Sequence, residues 1–202
     1  MTVRFPAPVF IQGRYIRLVP LDPLQVPDLF EAGGDDDGVW NWLPTITPRS
    51  QAELSAVVEQ RLAQQAAGEA VMFTVVPHTT NRPTGWAAYT DISIADERLD
   101  IGYQWLGRYL WGTPAHLETH FMLMYNAFEN LNFGRVQWQL DHLDQLSQEI
   151  VTRIGGIPEG VLRRHLRRTD GSWRDTVFYS LLASEWPAAR DRWMAGLILD
   201  WR

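Results

Sequence analysis

Trp111-Gly112-Thr113-Pro114-Ala115-His116-Leu117-Glu118-Thr119-His120 follows an apolar segment, Ile101-Gly102-Tyr103-Gln104-Trp105-Leu106, and opens a long amphipathic run over residues 117–131. Gly112 allows a tight turn and close backbone approach. Thr113 suits an N-cap, and Pro114 suits the first helical position, where its missing N–H is no loss. The amides of Ala115, His116 and Leu117 are then expected to stand unpaired at the positive end of a helix. A strand, a glycine turn and a bare helix N-terminus together make an anion site suited to phosphate or pyrophosphate. The same spacing also describes an ordinary capped strand-to-helix turn.

Working outward, residues 15–19 alternate like a strand, and residues 23–32 read as a short helix ending at Gly33-Gly34. Residues 50–67 form a second helix, with Ser50 as N-cap, Glu53 at the capping-box position and Gly68 as the stop. Strands are expected at 71–76, 85–90, 99–106 and 135–140. The helix from Pro114 carries Leu117, Phe121, Met124, Phe128 and Leu131 at helical spacing, a stripe that belongs to the core. Residues 145–154 form a helix with Leu146, Ile150 and Ile154 inward. Residues 161–168 and 176–182 flank Asp170-Gly171, a hairpin signal. Ser184 caps a last helix beginning near Pro187. There is no repeat, low-complexity tract or linker, so residues 1–202 read as a single α+β domain.

The chain has 202 residues, enough for one full core. It holds 0 cysteines, which excludes disulfides, thiolate metal sites and a cysteine nucleophile, and fits a cytoplasmic protein. No apolar run approaches the ~18 residues of a membrane span, and the first residues lack a signal-peptide pattern, so no membrane is expected. The net charge of -6 argues against nucleic acid as a partner. The basic cluster Arg163, Arg164, Arg167 and Arg168 reads as a solvated strand face. Asp35-Asp36-Asp37 lies in a glycine-bounded loop that either stays solvated or attracts a cationic amine. Most of the 10 tryptophans should be core or pocket walls.

Taken in order, Gly13-Arg14-Tyr15-Ile16-Arg17-Leu18, Gly102-Tyr103, Trp111-Gly112-Thr113-Pro114-Ala115, Asn126-Ala127-Phe128-Glu129, Arg135-Val136 and Ser147-Gln148 form a series. Glu159-Gly160-Val161-Leu162-Arg163, Asp170-Gly171, Arg174-Asp175, Tyr179-Ser180 and Glu185-Trp186-Pro187 complete it. The series resembles the GNAT acyltransferase superfamily, specifically its RimJ/RimL-like branch of N-acetyltransferases. The resemblance implies an α/β sandwich: a mixed, mostly antiparallel sheet of about seven strands, helices on both faces, splayed between the fourth and fifth strands. It implies acetyl-CoA as co-substrate, no metal, and direct attack of a neutral primary amine, either a small molecule or a protein N-terminus.

Carried over by position, Trp105 and Leu106 would pair with pantetheine, and Trp111, Gly112, Thr113, Pro114, Ala115 and His116 would cradle the pyrophosphate. Ser147 would sit near the sulfur and protonate the leaving thiolate, or be back-bonded to its own helix. Glu118 would act as base or position the preceding loop. Trp40, Trp42, Tyr103 and Gln104 are acceptor walls or aromatic core. Three positions depart from the branch: His116 and Asp144 stand where it has asparagine, and His120 where it has a basic residue. An ionised aspartate only accepts hydrogen bonds, so Asp144 cannot replace an amide donor toward the cofactor.

His116 and His120 also have metal-ligand spacing, but Glu118 is misplaced for a His-Glu-x-x-His motif. An alternative reading is a catalytically weak or inactive CoA-binding, ligand-sensing homologue; a third is a structural dimerisation module. Trp186, Trp193, Leu197, Ile198 and Trp201 near the C-terminus pack on the chain's own sheet or form a homodimer.

Overall fold

Strand alternation translates into one eight-stranded sheet in the computed structural model, which describes residues 2–196. The strands are β1 (Ile11–Gln12), β2 (Ile16–Pro20), β3 (Ala70–Pro77), β4 (Gly85–Ser93), β5 (Arg98–Leu106), β6 (Arg135–Asp141), β7 (Ile157–Arg167) and β8 (Trp173–Leu182). Their order is β1-β2-β3-β4-β5-β6-β8-β7, one strand more than expected because the two-residue β1 pairs with β2. All neighbours are antiparallel except β5 and β6. A parallel pair needs a long crossover, here supplied by the helix that opens at Pro114.

Helices cover both faces. Helical turns from Pro23 to Gly34 include α1 (Val26–Leu29), and α2 (Asp37–Trp40) and α3 (Gln51–Ala66) follow. On the other side lie α4 (Pro114–Tyr125), α5 (Gln145–Arg153) and α6 (Trp186–Met194). The core accordingly splits in two. One cluster joins Trp40, Leu54 and Val58 of α2 and α3 to Trp86 and Trp105 of the sheet. The other joins Leu117, Phe121 and Val151 of α4 and α5 to Leu99, Val136 and Trp138. The sandwiched β3 is buried at every position, which explains an apolar run interrupted only by the buried Thr74.

Local chemistry sets the helix ends. The Ser50 hydroxyl accepts the Glu53 N–H at 3.2 Å, as expected of an N-cap, but the Glu53 carboxylate reaches back to the Arg49 N–H rather than to that of Ser50. Glu185, not Ser184, stands at the α6 cap. The amphipathic expectation for α4 fails: residues 115–124 are all buried, because α6 covers the face turned away from the sheet. Phe121 stacks on Trp193 at 4.5 Å, and Phe128, just beyond α4, stacks on Trp186 at 5.3 Å. Trp186 and Trp193 thus pack within the chain; Leu197, Ile198 and Trp201 lie outside the described residues. Among the described residues no helix is long and apolar enough to cross a membrane.

The feature that positions the site is a split in the sheet. β5 and β6 pair only at Arg98↔Arg135, Leu99↔Val136 and Asp100↔Gln137. Beyond Asp100 the two strands part. On its other edge β5 slips register against β4 between Trp86 and Ala88, and Tyr103 there adopts a φ of 48°. An aromatic residue in the left-handed region marks a backbone held by its surroundings.

Candidate functional site

A cavity of about 570 Å³ fills the split. His116 and His120 of α4, Ser147 and Val151 of α5, and Trp138 of β6 line it from one face of the sheet. Trp42, Leu43, Pro44, Gln64 and Tyr103 line it from the other, so the cavity runs through the sheet.

Buried polar atoms are nearly always hydrogen-bonded. Among the described residues, Asp100 Oδ1, Gln104 Oε1 and Nε2, Trp105 Nε1, His116 Nδ1, Arg174 Nε and Arg61 Nε are buried without a partner. All but Arg61 belong to residues that line this cavity. The protein's unmet hydrogen-bonding capacity is therefore gathered at one place, as in a site shaped for a ligand.

At the apex of the split, Asp100 is 4% exposed. Its Oδ2 accepts from Gln139 Nε2 at 2.6 Å, and its Oδ1 accepts from nothing. Burial pushes its carboxyl up to about 6. Strand alternation puts Asp100, Gln137, Gln139 and Asp141 on one face, joined by Thr176 and Arg174 of β8. Arg174 Nη2 donates to the Gln139 carbonyl at 2.6 Å, and burial pulls its guanidinium down. Sequence reasoning passed over Asp100, Gln139 and Arg174. The one local signal was a charged residue between Leu99 and Ile101 inside an apolar strand.

On the α4 wall, His116 and His120 stack at 5.8 Å, and burial pushes them down to about 4 and about 3. Both are neutral at pH 7. His120 Nδ1 accepts from Trp138 Nε1 at 3.4 Å, whereas His116 Nδ1 has no partner. The turn before them differs from expectation. His116 donates its amide to the Thr113 carbonyl at 3.0 Å because the first turn of α4 tightens, and Leu117 donates to the same carbonyl at 3.3 Å as the first regular bond of the helix. Among the described residues, only the Gly112 and Ala115 amides of that turn have no protein acceptor. The Thr113 hydroxyl donates to the Leu110 carbonyl instead of capping.

The remaining expected residues divide. Trp105, Leu106, Trp111, His116, Asp144, Ser147, Trp42 and Tyr103 meet around the cavity; Gly112, Thr113, Pro114 and Ala115 form the adjoining turn without lining it. Asp144 caps α5: its Oδ1 accepts the Ser147 N–H at 3.1 Å and its Oδ2 the Ser147 hydroxyl at 2.6 Å. That hydroxyl is therefore not back-bonded to a helix carbonyl, and burial pushes the Asp144 carboxyl up. The Glu118 carboxylate accepts the amides of Arg14, Tyr15 and Ile16 at 2.7, 2.6 and 2.9 Å, away from the cavity lining. Trp40 is core rather than acceptor wall: it is 2% exposed, packs at 5.6 Å on Trp86 and 5.3 Å on Trp105, and donates Nε1–H to the Gly33 carbonyl. In the acidic loop, Asp36 pairs with Arg108 and Asp37 with Arg49, which neutralises two of its three charges.

A sequence profile described as an acetyltransferase (GNAT) domain matches residues 16–157. No curated protein sequence matches the chain. Among solved structures, a GCN5-related N-acetyltransferase from Brucella melitensis superposes with a TM-score of 0.89 at 27% identity, covering 96% of this chain and 87% of its own. Mycobacterium smegmatis RimJ, solved with CoA-disulfide, gives 0.81 at 19% identity over 94% of this chain and 95% of its own. RimL, a ribosomal L7/L12 alpha-N-protein acetyltransferase, gives 0.75 at 20% identity over 86% and 94%. With the last two the shared property is the fold.

Proposed function

We propose that this chain, which belongs to the GNAT acetyltransferase family, is an acetyl-CoA-dependent N-acetyltransferase. It moves the acetyl group to a primary amine, a small amine or a protein N-terminus, by direct attack in a ternary complex. The observation that carries this reading is the gathering of unpartnered polar atoms around a cavity that pierces the split sheet. A cysteine-free chain also fits a reducing, cytoplasmic compartment.

The residues present fit the co-substrate. Beyond Asp100, β5 has no β6 ladder, so its edge peptides from Gly102 to Trp105 are open to the pantetheine amides, while the Leu106 carbonyl accepts from Trp111 Nε1 at 2.8 Å. Trp111, Leu146 and Val151 give that arm an apolar bed, and the open Gly112 and Ala115 amides suit its pyrophosphate. Acetyl-CoA supplies an activated acyl group; the protein must supply proton management. An ammonium with a pKa near ~10 cannot attack until it loses a proton. Asp100, mostly ionised at pH 7 and with one oxygen unpartnered, takes that proton. The amine nitrogen bonds to the carbonyl carbon as the carbon–sulfur bond breaks. Ser147, its hydroxyl held by Asp144 at 2.6 Å, gives its proton to the leaving sulfur and recovers the one that the nitrogen sheds on becoming an amide.

A second reading, a weak or inactive CoA-binding homologue, draws on the α4 turn, where two amides expected to hold phosphate are spent on Thr113. Calorimetric titration with acetyl-CoA, beside a His116→Asn/Asp144→Asn variant, followed by an amine screen for CoA release, separates them. Micromolar binding with amine-dependent release supports the transferase. Binding with no release supports the second reading. Binding only by the variant means that the cofactor site was abandoned.

A further inference from the structure

The acceptor side of the cavity holds two groups of opposite character with unmet bonding capacity. Asp100 keeps Oδ1 free, and Arg174 keeps Nε free. Both are tied to the same residue: the Gln139 side-chain amide donates to Asp100 Oδ2, and the Gln139 main-chain carbonyl accepts from Arg174 Nη2. One glutamine thus spaces a carboxylate and a guanidinium on one face of the sheet, both against the cavity.

The nearby charges act on this pair from a distance, Asp141 and Asp144 on Arg174 and Arg98 on Asp100, without hydrogen-bonding to it. Asp141 accepts two bonds from Arg168, at 2.7 and 2.9 Å, and another from the Leu143 amide. Asp144 is engaged by Ser147, and Asp91 is ion-paired with Arg98. Among the described residues, no carboxylate hydrogen-bonds to Arg174, and no arginine or lysine hydrogen-bonds to Asp100. A buried carboxylate and a half-buried guanidinium held apart and open are poor design for stability alone, since each wants a charged partner.

We infer that the acceptor is a free α-amino acid, its ammonium on Asp100 and its carboxylate on Arg174. This rests on the transferase reading, which brings the amine to Asp100. A guanidinium matches a carboxylate in both charge and planar donor geometry, whereas a simple alkylamine leaves it unpaired. Trp42, Leu43, Pro44 and Tyr103 form the adjoining wall, so the side chain it favours is apolar or aromatic. Tyr103 is backed by the Arg61 guanidinium 4.1 Å from its ring centroid, which keeps that wall in place.

The test compares L-phenylalanine, L-phenylalaninamide and phenethylamine, which share a side chain and amine but differ in the carboxyl group. The expected kcat/KM for phenylalanine exceeds that for phenethylamine by about tenfold to a hundredfold, the worth of a charged hydrogen bond. In Arg174→Gln the ratio of the two collapses toward one, and Arg174→Lys recovers part of it. Because each ratio is taken within one protein, a general loss of folding cancels. Equal rates for phenylalanine and phenethylamine in the native chain overturn the inference. Equal rates for the amide and the acid overturn the free acid and point to a peptide N-terminus, whose carbonyl would take the carboxylate's place on Arg174. If no amine releases CoA, the transferase reading has failed by itself. Calorimetric affinity for phenylalanine against phenethylamine then decides the inference: a preference supports it, and none overturns it.

Discussion

Two carboxylates on opposite sides of α4's crossover, Glu118 at 3% exposure and Asp100 at 4%, are equally buried and oppositely placed. Glu118 sits beneath the turn between β1 and β2, where three consecutive backbone amides converge on it. Asp100 sits at the apex of the split, with one donor and one oxygen left over. Burial alone therefore says little about role. What separates a structural carboxylate from a working one is whether the protein completes its hydrogen bonds.

The comparison can be broken first at Glu118. Glu118→Ala leaves three buried amides without an acceptor and is expected to lower stability by about 3–5 kcal/mol in chemical denaturation. A loss below about 1 kcal/mol would show that the turn does not depend on it. Asp100→Asn should do the reverse, lowering kcat/KM by about a hundredfold to ten-thousandfold while changing stability at pH 7 by about 1 kcal/mol or less. Should the two variants lose stability alike, the contrast is gone.

A pH series sharpens it. Asp100 is pushed up to about 6 when folded, against about 4 in an unfolded chain. Between those values the folded state binds the extra proton, so this group's contribution is full below about pH 4 and is lost as pH rises through about 6. Relative to the native chain, Asp100→Asn should gain about 1–3 kcal/mol from pH 4 to pH 7. The native kcat/KM should climb to a plateau above about pH 6, and that limb should vanish in the variant. The smallest effect is expected at the α5 cap, where Asp144→Ala should cost about 1 kcal/mol and Asp144→Asn only a few tenths, because asparagine caps nearly as well.

Much of this architecture was legible because it is written locally. Alternation marked β2 and β6, an apolar run marked β3, and Ser50 and Gly68 bracketed α3. The two-residue β1 escaped because two residues carry no period. Chemistry was harder to read where it depends on distant pairing. Asp100 stands open to the cavity only because the β5–β6 ladder stops there, and Arg174 joins that face only through the register of β8. Trp40 and Trp42 look alike in the sequence, yet one helical turn sends the first into the tryptophan cluster and leaves the second on the cavity wall. The α4 turn offers fewer open amides than its motif suggests: Leu117 makes the first regular bond of the helix to Thr113, and no motif announces the tightened turn that also takes the His116 amide.

A helix buried along its whole length cannot slide or tilt without disturbing both the sheet beneath it and the helix above it, and α4 is held in this way from Ala115 to Met124, between the sheet and α6. One wall of the cavity is thereby fixed. Residues 42–44 on the opposite wall lie in the connection between α2 and α3 and are only partly covered, so substitutions there are cheap. Descendants of such a protein can exchange one acceptor for another by rewriting that short segment, while the machinery that handles the acyl donor is inherited unchanged.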